Sequence, residues 1–303
     1  MVFKRYVFFP LWLLGSLTLY GCNPEGSTSN RFGGWIPRAS GTQANLTHVI
    51  FTGERFVVAA GKSLLISEDG VSWQSLTLPD SANVYRVAYG HAGYVALSPG
   101  NIYTSPDGQT WRKTPVATYL EDVAYGNGVY LIAGIFSALI ASSDGVTWEN
   151  VSPEATFDGW TRVFFLNNRF VAFKYDTPWV SQDGYQWTRG ENPSTARVSG
   201  AAYGNGLYVA VVGGGGFEVI TSTNGLTWSR NPVSFLNLHD VAYGPEGFIA
   251  VGGAAIGGLI VRSSDGRNWI SLGYNDNTRL NSVTYGKGRY VAVGDYGLIL
   301  TSR

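Results

Sequence analysis

The chain carries a single cysteine, Cys22, in 303 residues, so no disulfide can form within it. Histidine is nearly as scarce: the three present are scattered and have no thiol partner, which argues against a metal centre, and no cofactor is expected. Charge is sparse too. Only 14% of residues are charged, and 21 basic residues balance 21 acidic ones to a formal net charge of zero. With no basic stripe there is no electrostatic footprint for nucleic acid, and no nucleic-acid partner is expected. The apolar run Tyr6 to Tyr20 is too short for a comfortable transmembrane span, which needs about 20 residues.

What is plentiful is glycine, 40 residues, within a chain that is 45% hydrophobic and long enough to bury a large core. Much of it sits in a repeat. A box reading Ser-x-Asp-Gly-x-x-Trp stands at Ser67–Trp73, Ser105–Trp111, Ser142–Trp148, Ser181–Trp187, Ser222–Trp228 and Ser263–Trp269, with Asn224 replacing Asp in the fifth copy. Upstream of each box lie two apolar segments broken by a turn, as in Val123-Ala-Tyr-Gly-Asn-Gly-Val-Tyr130. Aligning Phe51, Tyr89, Tyr125, Phe165, Tyr203, Tyr243 and Tyr285 gives steps of 38, 36, 40, 38, 40 and 42 residues, the length of one four-stranded propeller blade.

The fold expected is therefore all-β: a seven-bladed β-propeller of four-stranded blades over residues 34–303. The last blade stops at its third strand, Leu298 to Arg303, while Trp35 has no box before it. The strand around Trp35 to Arg38 is expected to complete that blade and close the ring, leaving few free sheet edges. Within a blade, strand A is the Val-Ala-Tyr segment, B the Tyr-Val-Ala-Val segment, C leads into the box and D starts at the box Trp. Asn127-Gly128 and Asn205-Gly206 are two-residue hairpin signals between A and B.

These repeated residues read as scaffold. Asp69, Asp107, Asp144, Asp183, Asn224 and Asp265 are expected to brace their own turns by accepting backbone amides. Trp35, Trp73, Trp111, Trp148, Trp187, Trp228 and Trp269 are expected to dominate blade packing, each buried indole removing roughly 150 to 250 Å² from water, worth about 4 to 6 kcal/mol. Trp160 and Trp179 align with Leu, Ile or Val in other repeats and read as core.

The box resembles the Asp-box, or BNR, repeat of sialidases and related bacterial propellers, one residue shorter than the usual Ser-x-Asp-x-Gly-x-Thr-Trp. That resemblance covers residues 34–303 and implies a fold rather than a function, because such repeats serve hydrolases, binding proteins and assembly factors alike. A lipid-anchored seven-bladed propeller is also similar in outline to the photosystem II assembly propeller, but the box lacks that family's second glycine and the blades have no dense arginine patch.

The N-terminus reads as a targeting segment. Lys4 and Arg5 precede the apolar run, and Leu19-Tyr20-Gly21-Cys22 resembles a bacterial lipobox. The resemblance implies a signal peptide over residues 1–21, a diacylated Cys22 and a flexible tether over residues 22–33, with two or more acyl chains giving a stable membrane anchor. The other reading is an ordinary secretory signal followed by a free cysteine. Asn23 behind the cysteine resembles an outer-membrane destination, so a cell-envelope monomer facing the periplasm or the surface is expected.

Function is expected where loops vary. The A–B and C–D turns share one face and are standardised; the B–C and D–A connections share the other, the top, and differ between blades. Residues just before strand A ring the channel mouth on that face. The candidates for ligand or partner binding are His48, Tyr85, Arg86, Tyr119, Glu121, Asp122, Arg162, Arg197, His239, Asp240 and Arg279. The bland alternative is that they pair with one another, for example Arg86 with Asp122. His239 and Asp240, as strand neighbours, are expected to point to opposite faces. The runs Gly213–Gly216 and Gly252–Gly258 read as hairpin tips, with Phe217, Ile256, Phe136 and Tyr296 available to touch a partner.

No residue is assigned a catalytic role. The expected function is a membrane-anchored, non-catalytic scaffold that binds or assembles a protein or glycan through the top face. The alternative is a sialidase-like glycoside hydrolase, for which Arg86, Arg162, Arg197 and Arg279 would have to converge with Asp122 or Asp240 as acid. A purely structural envelope protein is a third possibility.

Overall fold

The computed structural model describes residues 34–136, 138–154, 159–213, 218–234, 237–254, 257–273 and 277–303. The residues read as a targeting segment and tether, with Cys22, lie outside the described residues, as do Phe217 and Ile256. Seven sheets, each of four antiparallel strands, make the seven blades. Strand A of each blade packs beside the A strands of both neighbouring blades, which closes the ring around a central channel. The A strands are His48–Phe51, Arg86–Gly90, Leu120–Gly126, Trp160–Leu166, Val198–Gly204, Leu238–Gly244 and Leu280–Gly286. The expected seven-bladed propeller is the observed fold.

Closure follows the expected route. Ile36–Arg38 is the outer strand of the seventh blade, pairing antiparallel with Ile299–Thr301 in the register Ile36 to Thr301 and Arg38 to Ile299. Arg38 Nε donates to Thr301 Oγ1 at 3.0 Å. Because strand direction alternates through the blade, this strand climbs from the bottom face to the top, and Gly34 lies at the bottom.

Local chemistry sets the turns. Asn127 and Gly128 both have positive φ, 48° and 81°, the conformation a two-residue hairpin needs to match strand twist. In the first box Asp69 Oδ1 accepts the amides of Val71 at 2.7 Å and Ser72 at 2.8 Å and the hydroxyl of Ser67 at 3.0 Å, while Ser67 Oγ accepts the Gly70 amide. Asp107, Asp144, Asp183 and Asp265 repeat the pattern, and Asn224 reproduces it with amide bonds of 2.9 Å. These amides hold the Asp69 carboxyl down to about 2 and keep the other four box carboxyls below their ordinary range.

The core is not central. It lies in seven apolar seams between adjacent blades; in the seam that joins the last blade to the first, Val291, Val293 and Ile299 pack on Val49, Phe56 and Leu65. Trp160 and Trp179 are core residues, with ring centroids 5.9 Å apart. The box tryptophans and Trp35 pack on these seams at different depths. Trp228 and Trp35 are buried, but Trp73, Trp111, Trp148, Trp187 and Trp269 are half-buried. The D strand is the outer strand of its blade, so an indole there caps a seam edge and removes less area than a central residue would. Among the described residues helix is confined to two short turns, Pro79–Ser81 and Asp295–Gly297, and no helix is long and apolar enough to cross a membrane.

Candidate functional site at the channel mouth

The channel encloses about 420 Å³ and is walled by the A strands, with His48, Asp122 and Asp240 among its lining residues. The strands begin with a common irregularity. In five blades the register shifts so that two residues oppose one: Glu121 and Asp122, Thr161 and Arg162, Ser199 and Gly200, His239 and Asp240, Asn281 and Ser282. Blades one and two do the same, since the Thr47 and Tyr85 amides donate to the carbonyls of Ala59 and Leu97, the residues paired with His48 and Arg86. Such bulges break strand alternation and re-aim side chains. The expected divergence of His239 and Asp240 is thereby corrected: both reach the next blade, His239 Nδ1 donating to Leu280 O at 2.6 Å and Asp240 Oδ2 accepting from Ser282 Oγ at 2.6 Å.

The second bulge residue of one blade serves the next. His48 Nδ1 accepts the Val87 amide at 3.3 Å, Asp122 Oδ2 that of Val163 at 3.2 Å, Asp240 Oδ2 that of Val283 at 3.0 Å, and Ser282 Oγ that of Val49 at 3.2 Å. Where that residue cannot accept, the next blade fends for itself. Arg86 donates to Asp122 Oδ1 at 3.1 Å, and the Val123 amide turns to the same oxygen at 3.1 Å. Gly200 has no side chain, and the Val241 amide turns to Asp240 Oδ1 at 2.8 Å.

Electrostatics follow from this packing. His48 is neutral: burial first, then the charges of Arg86 and Arg162, pull it well below its ordinary value, and accepting an amide at Nδ1 leaves the proton on Nε2. Burial also lowers His239. Desolvation pushes Asp240 up to about 6 despite its three hydrogen bonds, and burial pushes the Tyr85 hydroxyl, which donates to Leu120 O at 2.7 Å, up to about 12. Burial and then the Arg86 charge draw Arg162 down to about 10, so it stays cationic at neutral pH.

Arg86 and Arg197 lie near enough for their charges to act on Arg162, but three of the four arginines are spent on carboxylates. Arg86 pairs with Asp122, Arg197 with Glu121 at 2.7 Å and Arg279 with Asp295 at 3.4 Å. Among the described residues Arg162 makes no salt bridge, although Asp122 and Glu121 lie near enough to act on its charge; Nε donates to Ser199 O and Nη1 to Thr161 O, both at 2.9 Å. Both mouth carboxylates, Asp122 and Asp240, are occupied on each oxygen by amides, Ser282 or Arg86. Among the described residues no group of His, Cys, Asp and Glu gathers as metal ligands would.

Around the mouth, Tyr119, Phe136, Tyr175 and Tyr296 are the most exposed large hydrophobic residues described, at 67%, 68%, 59% and 69%. Tyr119 precedes an A strand and the other three tip B–C hairpins, so all four stand on the top face. Phe136, Tyr175 and Tyr296 hold φ of 54°, 56° and 55°, a left-handed conformation uncommon for bulky residues. The sequence reading placed Phe136 and Tyr296 there and missed Tyr175, which nothing but its alignment with those tips reveals. Ser282 and Gly200 were also missed as candidates, because their importance lies in partners about 40 residues away.

Seven-bladed β-propellers are the class this geometry defines. No family model matches the chain, and no curated protein matches it. Solved structures do. Selenomethionine-substituted virginiamycin B lyase from Staphylococcus aureus superposes with a TM-score of 0.75 at 9% identity, over 88% of this chain and 98% of that one. YCF48 bound to D1 peptide superposes with a TM-score of 0.68 at 17% identity, over 89% and 94%, and YCF48 from Cyanidioschyzon merolae with 0.63 at 13%, over 89% and 98%. Such identities establish the shared fold and nothing finer.

Proposed function

We propose that this chain is a non-catalytic binding or assembly propeller that presents its top face to a polypeptide, held at a membrane by lipid on Cys22. The observation that carries the reading is the set of exposed aromatic tips. Three bulky residues kept in solvent at positive φ cost on the order of 1 kcal/mol each or more, a strain found at binding and switch regions rather than in plain scaffold. Aromatic side chains supply rigid contact area at low entropic cost. A peptide-bound neighbour of the same fold is compatible with such a role. The Ser-x-Asp-Gly-x-x-Trp boxes support kinship with BNR propellers, and the lipobox-like Leu19 to Cys22 supports the anchor.

The hydrolase reading loses its parts: three of the four arginines are neutralised and both mouth carboxylates are spent on blade seams. The test is affinity co-purification from detergent-solubilised membranes, comparing the native chain with a folded variant carrying Tyr119→Ser, Phe136→Ser, Tyr175→Ser and Tyr296→Ser. A polypeptide lost only from the variant supports the reading. Equal recovery, or specific retention of a glycan panel in its place, overturns it.

A further inference from the structure

The seven blades are each other's controls at the mouth. One amide, on the first residue after the bulge, faces the channel in every blade. Six of these amides, on Val49, Val87, Val123, Val163, Val241 and Val283, are accepted by a mouth side chain. The seventh, on Ala201, has no side-chain acceptor among the described residues. It occupies the same register, pairing with Ala210 as Val123 pairs with Ile132, and it lines the channel.

The reason is local. The preceding blade offers Arg162, which can only donate, and residue 200 is glycine. Two blades earlier the chain shows the same arrangement complete: Arg86 and the Val123 amide share one oxygen of Asp122. Arg162 stands where Arg86 does, Ala201 where Val123 does, and Gly200 where Asp122 does. The carboxylate is missing, and Arg162 Nε turns to the Ser199 carbonyl in its place, which leaves Nη2. Residue 200 cannot supply it, because a Cβ there would lie 2.5 Å from Asp240 Oδ1 and 2.6 Å from its Cα. The seam between these blades is closed to a side chain, whereas the channel beneath is open space.

We propose that the mouth is a binding site for a small organic carboxylate, seated between the Arg162 guanidinium and the Ala201 amide. Arg162 brings a guanidinium that makes no salt bridge among the described residues, with its Nη2 donors, and the amide brings a fixed N–H, the pair that charge-assisted recognition of a carboxylate uses. The ring already accommodates carboxylates at the equivalent place in two blades. Asp122 and Asp240 close by disfavour an anion of higher charge. The proposal needs no macromolecular partner and stands apart from the function proposed above.

The test is an NMR titration of the whole propeller with acetate, following the Ala201 amide and the Arg162 Nε–H. Both signals are expected to shift with one saturable midpoint in the millimolar range. Acetamide and chloride are expected to leave them in place, and phosphate to bind more weakly than acetate. Arg162→Gln is expected to weaken binding by about tenfold or more, and Arg112→Gln on an outer strand to leave it unchanged. An Ala201 signal that acetate does not move, that acetamide or chloride moves equally, or that phosphate saturates more tightly would overturn the proposal, as would native-like binding by Arg162→Gln. Should that variant fail to fold, the native titration with its amide control decides alone.

Discussion

Ser282 in the last blade accepts the backbone amide proton of Val49 in the first at 3.2 Å, joining residues 233 apart in sequence. The same hydroxyl donates to Asp240, so one side chain links three blades at the inner rim. The outer rim is closed separately by the pairing of Ile36–Arg38 with Ile299–Thr301. The ring is thus shut twice, by a strand outside and a hydroxyl inside.

Replacing Ser282 with Ala removes the inner latch and leaves the Val49 amide and an Asp240 oxygen short of a partner in a buried place. The expected cost is about 1 to 3 kcal/mol in urea unfolding, together with faster hydrogen exchange at Val49. Unchanged exchange at Val49 would show that the latch does not hold the seam.

Replacing Trp35 with Ala tests the outer latch. Its indole is buried against Tyr290, with ring centroids 6.4 Å apart, so a loss of about 3 kcal/mol or more is expected. The half-buried Trp148 offers the comparison: Trp148→Ala should cost clearly less, and equal costs would contradict the burial argument.

In the boxes, Asp144→Ala is expected to lower the melting temperature by exposing two turn amides and a hydroxyl that the carboxylate now satisfies. Asn224→Asp should do the opposite, gaining about 0.5 kcal/mol as neutral hydrogen bonds of 2.9 Å become charge-assisted. Differential scanning of the two variants reads both signs.

Two classes of carboxylate pull stability in opposite directions with pH. The box Asp groups have lowered pKa values, so their contribution is present above the ordinary 3.8 and is lost as pH falls toward about 2, the value for Asp69. Asp240 is raised to about 6, so the protein is relieved of its ionisation below 3.8 and progressively destabilised as pH rises through 6. Asp240→Asn should flatten the upper limb of a stability profile measured between pH 4 and 7 and leave the acid limb alone. A profile unchanged by the substitution would place that limb elsewhere.

How far the sequence could be read depended on distance along the chain. The repeat steps gave blade number, strand count and closure by Trp35 to Arg38, because each blade is a local unit whose turns announce themselves in Asn-Gly and Asp-Gly pairs. Trp160 and Trp179 were recognisable as core from their aligned Leu and Ile counterparts. The mouth was placed, but of its wiring only the pairing of Arg86 with Asp122 was foreseen. A bulge adds one residue without a compositional mark, so the shared direction of His239 and Asp240 was hidden. The roles of Ser282 and Gly200 depend on an adjacent blade, which strand patterning within one blade does not describe. Half-burial of Trp73 or Trp269 likewise depends on how deep the outer strand sits, not on the indole itself.

The direction of the closing strand has a topographic consequence. Ile36–Arg38 climbs from the face of the standardised turns toward the mouth, so Gly34 lies on the face opposite the mouth. The described chain therefore begins at the base of a cup whose rim carries Tyr119, Phe136, Tyr175 and Tyr296, which leaves those four side chains clear of its starting point.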